Sequence, residues 1–103
     1  MATLTRLFLH TEPPTRSILA RRRAPDGERW ILASDWIREE DRTAFDACID
    51  LPPPQEVAAT VRRLRELPFD DLVVQSEYAL LPGALLAAER GIPAPTPMAA
   101  RAS

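Results

Sequence analysis

The sequence predicts an α/β domain: a small open parallel sheet of about four strands with helices on both faces, Rossmann-like in layout. Two observations carry that prediction. Short apolar runs alternate with helical or polar segments, and the connections between the runs are too long for hairpins. Each run also stops at polar or charged residues, namely His10-Thr11-Glu12, Ser34-Asp35, Asp50-Leu51-Pro52 and Ser76-Glu77. Sheets of this kind bind ligands off the carboxyl ends of their strands, so these endings mark one candidate rim.

The first strand is expected over residues 3–9, where alternation leads into Leu7-Phe8-Leu9 and Pro13-Pro14 follow. A short helix opens near Pro14 and carries Ile18-Leu19-Ala20 and the run Arg21-Arg22-Arg23. Ala24-Pro25-Asp26-Gly27 is a turn, because Pro presets φ and Gly accepts a positive one. Trp30-Ile31-Leu32-Ala33 is the second strand, closed by Ser34-Asp35, and residues 36–42 read as a polar surface connection. Residues 44–51 (AFDACIDL) form a weaker third strand.

After Pro52-Pro53-Pro54, the segment QEVAATVRRLREL places Val57, Ala58, Val61 and Leu64 on one helical stripe, and Pro68 ends that helix. Residues 69–75 are the clearest strand. Residues 84–90 form the last helix, with Pro82 at its first position and Gly91 beyond its end; residues 76–81 then read as loop. Leu80, Leu81, Leu85 and Leu86 read mostly as core. The domain spans residues 1–91, and the proline-spaced tail 92–103 reads as a linker.

Composition narrows the function. A net charge of −2 provides no basic face for nucleic acid. No apolar run reaches the roughly 18 residues of a membrane span, the N-terminus is too short for a signal peptide, and the single Cys48 fits a reducing compartment. These features predict a soluble, cytoplasmic chain. All 13 basic residues are Arg, so no lysine can grip a phosphate or form a Schiff base. Gly27, Gly83 and Gly91 are too far apart for a phosphate-cradling loop.

FDDLVVQSEYALLPGALLAAERGIPAPTP resembles the end of the N-terminal (pre-ATP-grasp) domain of ATP-grasp carboxylate–amine ligases, in the amino-acid and dipeptide ligase branch that includes carnosine-synthase-like enzymes. The features that match are Phe69-Asp70 opening a strand, Ser76-Glu77 ending it, an Ala-rich helix from Pro82 to Arg90, and Gly91-Ile92-Pro93 leading into a proline-spaced link. The family commonly has Ala where Gly83 stands and Gly where Ala94 stands. The resemblance implies a substrate-side domain that is not catalytic alone. Its partners would be an ATP-grasp core, in cis or trans, and a small amino-acid or carboxylate substrate. ATP and Mg2+ would belong to that core, and no cofactor is expected on this chain. The alternative expectation is a free-standing α/β module that binds a ligand or protein without catalysis.

Glu77, Ser76 and His10 are the candidate substrate-binding residues. Glu77 either accepts a substrate ammonium, meets a loop of the core, or binds backbone N–H groups of its own loop. Ser76 otherwise closes a turn, and His10 otherwise stands half-exposed at its strand end. Asp35 and Asp50 are strand-end carboxylates that would need convergent geometry to hold a metal. Arg21-Arg22-Arg23 reads as a solvated helix end and Cys48 as a small core residue. Trp30 is expected in the core and Trp36 partly exposed.

Overall fold

The computed structural model describes residues 3–22 and 24–93. The elements in chain order are β1 (Leu4–Leu9), α1 (Pro13–Arg22), β2 (Glu28–Ser34), α2 (Glu39–Ala44), β3 (Ala47–Asp50), α3 (Val57–Leu64), β4 (Asp71–Val74), a 3-10 turn (Glu77–Ala79) and α4 (Leu80–Arg90). The strands form one four-stranded sheet in the order β3-β2-β1-β4. Every pairing is parallel, with Leu7 opposite Ile31 and Leu72, and Ala33 opposite Ile49. The predicted fold class is therefore the observed one, a Rossmann-like α/β sheet.

Strand periodicity builds two cores. Alternate side chains point to opposite faces. Leu7, Leu9, Ile31, Ala33, Leu72 and Val74 therefore pack with Val61, Leu64 and Leu86 of α3 and α4. Phe8, Trp30 and Leu32 pack on the other face with Phe45, Leu19 and Ile37, which come from α1 and the α2 region. On that face the Phe8 ring lies 5.1 Å from Trp30 and 5.8 Å from Phe45, both tilted, as aromatic quadrupoles prefer. Each large apolar side chain so buried contributes about 1.5–3 kcal/mol.

The predicted boundaries shift where local polar contacts outweigh periodicity. Residues 36–42 are not all connection, because α2 starts at Glu39. Its first turn is closed by the Asp41 carboxylate, which accepts the Arg38 N–H at 2.9 Å. That helix takes Ala44, so β3 begins later than expected, at Ala47. In α3, Ala58 is exposed and Thr60 is buried in its place.

Residues 76–81 are not loop: the 3-10 turn runs straight into α4 at Leu80. Pro82 is thus the third helical residue, still inside the first turn, where no N–H has an intrahelical partner. Gly91 ends α4 in the left-handed region (φ 68°), its N–H reaching the Ala87 and Ala88 carbonyls. The expected Leu80–Leu86 core stripe is half wrong. Leu86 is fully buried, but Leu81 is 59% and Leu85 44% exposed. Ile92 packs on the core below α4. Arg23 and residues 94–103 of the expected linker lie outside the described residues.

Candidate functional site

Chain order and strand order part company between β1 and β4. From β1 the sheet grows to β2 and β3 on one side, then crosses back to place β4 on the other. Connections leaving β1 and β4 therefore diverge at their carboxyl ends and leave a crevice. Residues 10–12 and 75–77 stand at its two lips, with Asp35 on the neighbouring strand end.

Gln75 ties the lips together. Its Oε1 accepts the Glu12 N–H at 2.8 Å, and its Nε2 donates to Thr15 Oγ1 at 2.6 Å. Ser76 is buried, and its hydroxyl donates to the His10 carbonyl at 3.3 Å, a second strut between β4 and β1. Ser76 thus holds the crevice together from beneath and leaves Glu77 at the surface.

His10 is not half-exposed. Its side chain is 1% exposed, and Nδ1 stands 3.4 Å from Asp35 Oδ1. Its backbone lies in the left-handed region (φ 50°), which histidine tolerates better than most residues, and its N–H donates to the Ala33 carbonyl at 2.8 Å. Burial pushes the imidazole pKa below its ordinary 6.5; the Asp35 carboxylate opposes that, and the charge of Arg16 adds to it. A neutral ring follows at neutral pH.

Beneath the rim lies a polar layer that sequence reasoning missed. Arg16 is turned inward from the first turn of α1. Its Nε donates to the Thr11 carbonyl at 2.6 Å. One terminal nitrogen reaches the Trp36 carbonyl at 2.8 Å and Asp41 Oδ2 at 2.7 Å, and the other reaches Ser34 Oγ at 3.0 Å. Burial alone would raise the Asp41 pKa. Hydrogen bonds from the Arg38 side chain and backbone and from Arg16 outweigh it and hold the carboxyl at about 2. The available signal was negative: α1 has no apolar stripe, so some polar residue had to face inward.

At the same rim, on the side of α3 and α4, opens a groove of about 530 Å³, lined by Asp35, Pro54, Gln55, Val57, Glu77 and Leu81. Two carboxylates, one amide and three apolar side chains thus share one concavity. Glu77 is exposed there. Among the described residues its carboxylate receives no hydrogen bond and forms no ion pair, so it is not a cap for its own turn. Of the predicted residues, Glu77 lines the groove; Ser76 and His10 do not, and His10 stands 3.4 Å from Asp35, which does. Asp35, weighed earlier as a strand-end carboxylate, is the link between them.

The same rim fits a nucleotide poorly. Pro13 and Pro14 open α1, so the helix end that would cradle a phosphate lacks two N–H donors. The Glu12 N–H is already engaged by Gln75. Among the described residues no group of three or more His, Cys, Asp or Glu side chains could hold a metal ion. None of their helices is long and apolar enough to cross a membrane. No family model, curated protein or solved structure matches this chain.

Proposed function

We propose that this chain is the N-terminal, substrate-side domain of an ATP-dependent carboxylate–amine ligase of the ATP-grasp type. The observation that carries the reading is the groove at the crossover of the parallel sheet, with the Asp35 and Glu77 carboxylates beside Leu81, Val57 and Pro54. The Glu77 carboxylate, without a partner among the described residues, suits the ammonium of a small amino-acid or peptide substrate, and the apolar wall suits its side chain. His10, neutral and buried, orients Asp35 from behind. ATP and Mg2+ belong to a core that this domain would face in cis or trans, since neither the β1–α1 turn nor any lysine is available to hold a nucleotide. With an unpaired thiol at Cys48, the cytoplasm is the compartment proposed.

The test is a binding titration followed by amide chemical shifts. Free amino acids and dipeptides should move the signals of Asp35, Gln55, Glu77 and Leu81, whereas ATP with Mg2+ should produce neither shifts nor heat. Tight binding of ATP by the isolated chain would remove the proposal.

A second reading, a free-standing module that binds a ligand or protein without catalysis, is favoured by the exposed leucines of α4.

A further inference from the structure

Besides the rim, the outer face of the last two helices carries apolar side chains exposed to solvent. α3 and α4 pack side by side over the first core, and a second groove of about 520 Å³ runs between them, lined by Val57, Ala58, Val61, Arg65, Leu85, Ala88 and Glu89. On α4 the exposed residues Leu81, Leu85 and Ala88 follow one another at i, i+4 and i+7, a stripe facing away from the sheet. On α3 the exposed Ala58 and Arg62, with Arg65 just past its end, do the same. The faces these helices turn inward are satisfied by Val61, Leu64, Leu86 and Ala87, so the outer leucines are surplus to the fold.

The charges around this surface are sorted by height. Both helices follow strands of a parallel sheet, so both begin at the carboxyl rim and run down together. The rim end carries the exposed carboxylates Asp35, Glu56 and Glu77. The lower end carries Arg62, Arg63 and Arg65 together with the carboxylates Glu66 and Glu89, Glu89 holding Arg65 at 3.0 Å, and is net basic by one charge. Among the described residues neither Glu56 nor Arg62 forms an ion pair. Helix dipoles reinforce the pattern only if a covering element runs the opposite way.

We propose that the occupant of this face is a second copy of the chain, docked about a two-fold axis perpendicular to α3 and α4. That axis inverts the copy, so the Leu81–Leu85–Ala88 stripes meet antiparallel and the acidic rim end of each copy faces the basic lower end of the other. The outcome is a four-helix layer with opposed dipoles and a Glu56–Arg62 contact made twice, as an isologous interface requires. A head-to-head arrangement would set Glu56 and Glu77 against their own duplicates and is disfavoured by the same charges. The face is small, so the dimer should dissociate at roughly micromolar concentration.

Sedimentation analysis of the 103-residue chain over a concentration series tests this. The expected result is a monomer–dimer equilibrium. Leu85→Asp should weaken it by about tenfold or more. Arg62→Glu should weaken it several-fold, and the double variant Glu56→Arg/Arg62→Glu should restore it, because the swapped charges face each other again. Circular dichroism on each variant should show unchanged helicity, since all three positions are solvent-facing. A chain that stays monomeric at the highest concentration overturns the proposal and leaves the face to a different protein. A dimer indifferent to Leu85→Asp, a charge swap that fails to restore association, or open-ended oligomers overturn it as well.

Discussion

The guanidinium of Arg16 lies 2.7 Å from the Asp41 carboxylate, across 25 positions of sequence, with the two side chains only 3% and 2% exposed. This contact joins the first two helices directly under the crevice rim. Desolvating both charges is expensive, and the pair is tolerable because the remaining Arg16 donors find Thr11, Trp36 and Ser34.

Removing one partner should therefore hurt more than removing both. Asp41→Ala, which leaves a buried unpaired guanidinium, should lower the unfolding free energy by about 3–5 kcal/mol. That is a large share of the roughly 5–15 kcal/mol holding a domain of this size. Arg16→Met combined with Asp41→Leu should recover more than half of the loss. Urea denaturation measures both; a single-variant loss of only about 0.5 kcal/mol, typical of surface pairs, contradicts the reading.

Acid should act through two groups in separable steps. His10 has a folded pKa below its ordinary 6.5, so the unfolded chain takes up a proton first and stability falls as pH drops below that value. Among the described charged groups, Asp35 and Arg16 act on this ring. Asp41, at about 2 against an ordinary 3.8, contributes fully above the higher value and is lost as pH falls through that window. This second step is worth about 2 kcal/mol. His10→Asn, which accepts the left-handed backbone, should abolish the first limb of a stability–pH curve and keep the second. Retention of both limbs would show that the first belongs elsewhere.

Adjacent leucines on α4 should behave oppositely. Leu86→Ala empties a fully buried site and should lose about 2–5 kcal/mol, whereas Leu85→Ala should stay within about 0.5 kcal/mol for the monomer. Thermal melts at low protein concentration separate the two; equal losses would mean that the α4 register is misplaced.

Gly91→Ala isolates the backbone contribution. A Cβ there meets no atom within 4 Å, so the cost is the left-handed conformation itself, about 1–2 kcal/mol. Gly91→Asn should lose less than Gly91→Ala. The reverse order would argue against the helix ending seen here.

The sheet was legible because Leu7-Phe8-Leu9, Trp30-Ile31-Leu32 and Leu72-Val73-Val74 are buried on both faces and leave continuous apolar runs. Its direction followed from connection length, and Glu77 followed from direction. What stayed hidden has physical reasons. EEDRTA has no apolar stripe, and α2 depends on the Arg38–Asp41 contacts of its first turn. Arg16 looks like any surface arginine until its acceptors, drawn from three separate stretches of chain, converge on it. Leu81 and Leu85 carry no mark in the sequence that sets them apart from Leu86, because an apolar residue faces solvent without breaking any rule.

The β1–α1 turn has one more effect. Pro13 and Pro14 have locked φ angles, and Gln75 fastens the turn at both Glu12 and Thr15. That lip of the crevice is a rigid jamb. The groove itself is walled by Asp35, residues 54–57 and the 3-10 turn carrying Glu77 with Leu81 behind it, so adjustment to a guest falls to those segments while the β1–α1 turn stays fixed beside them.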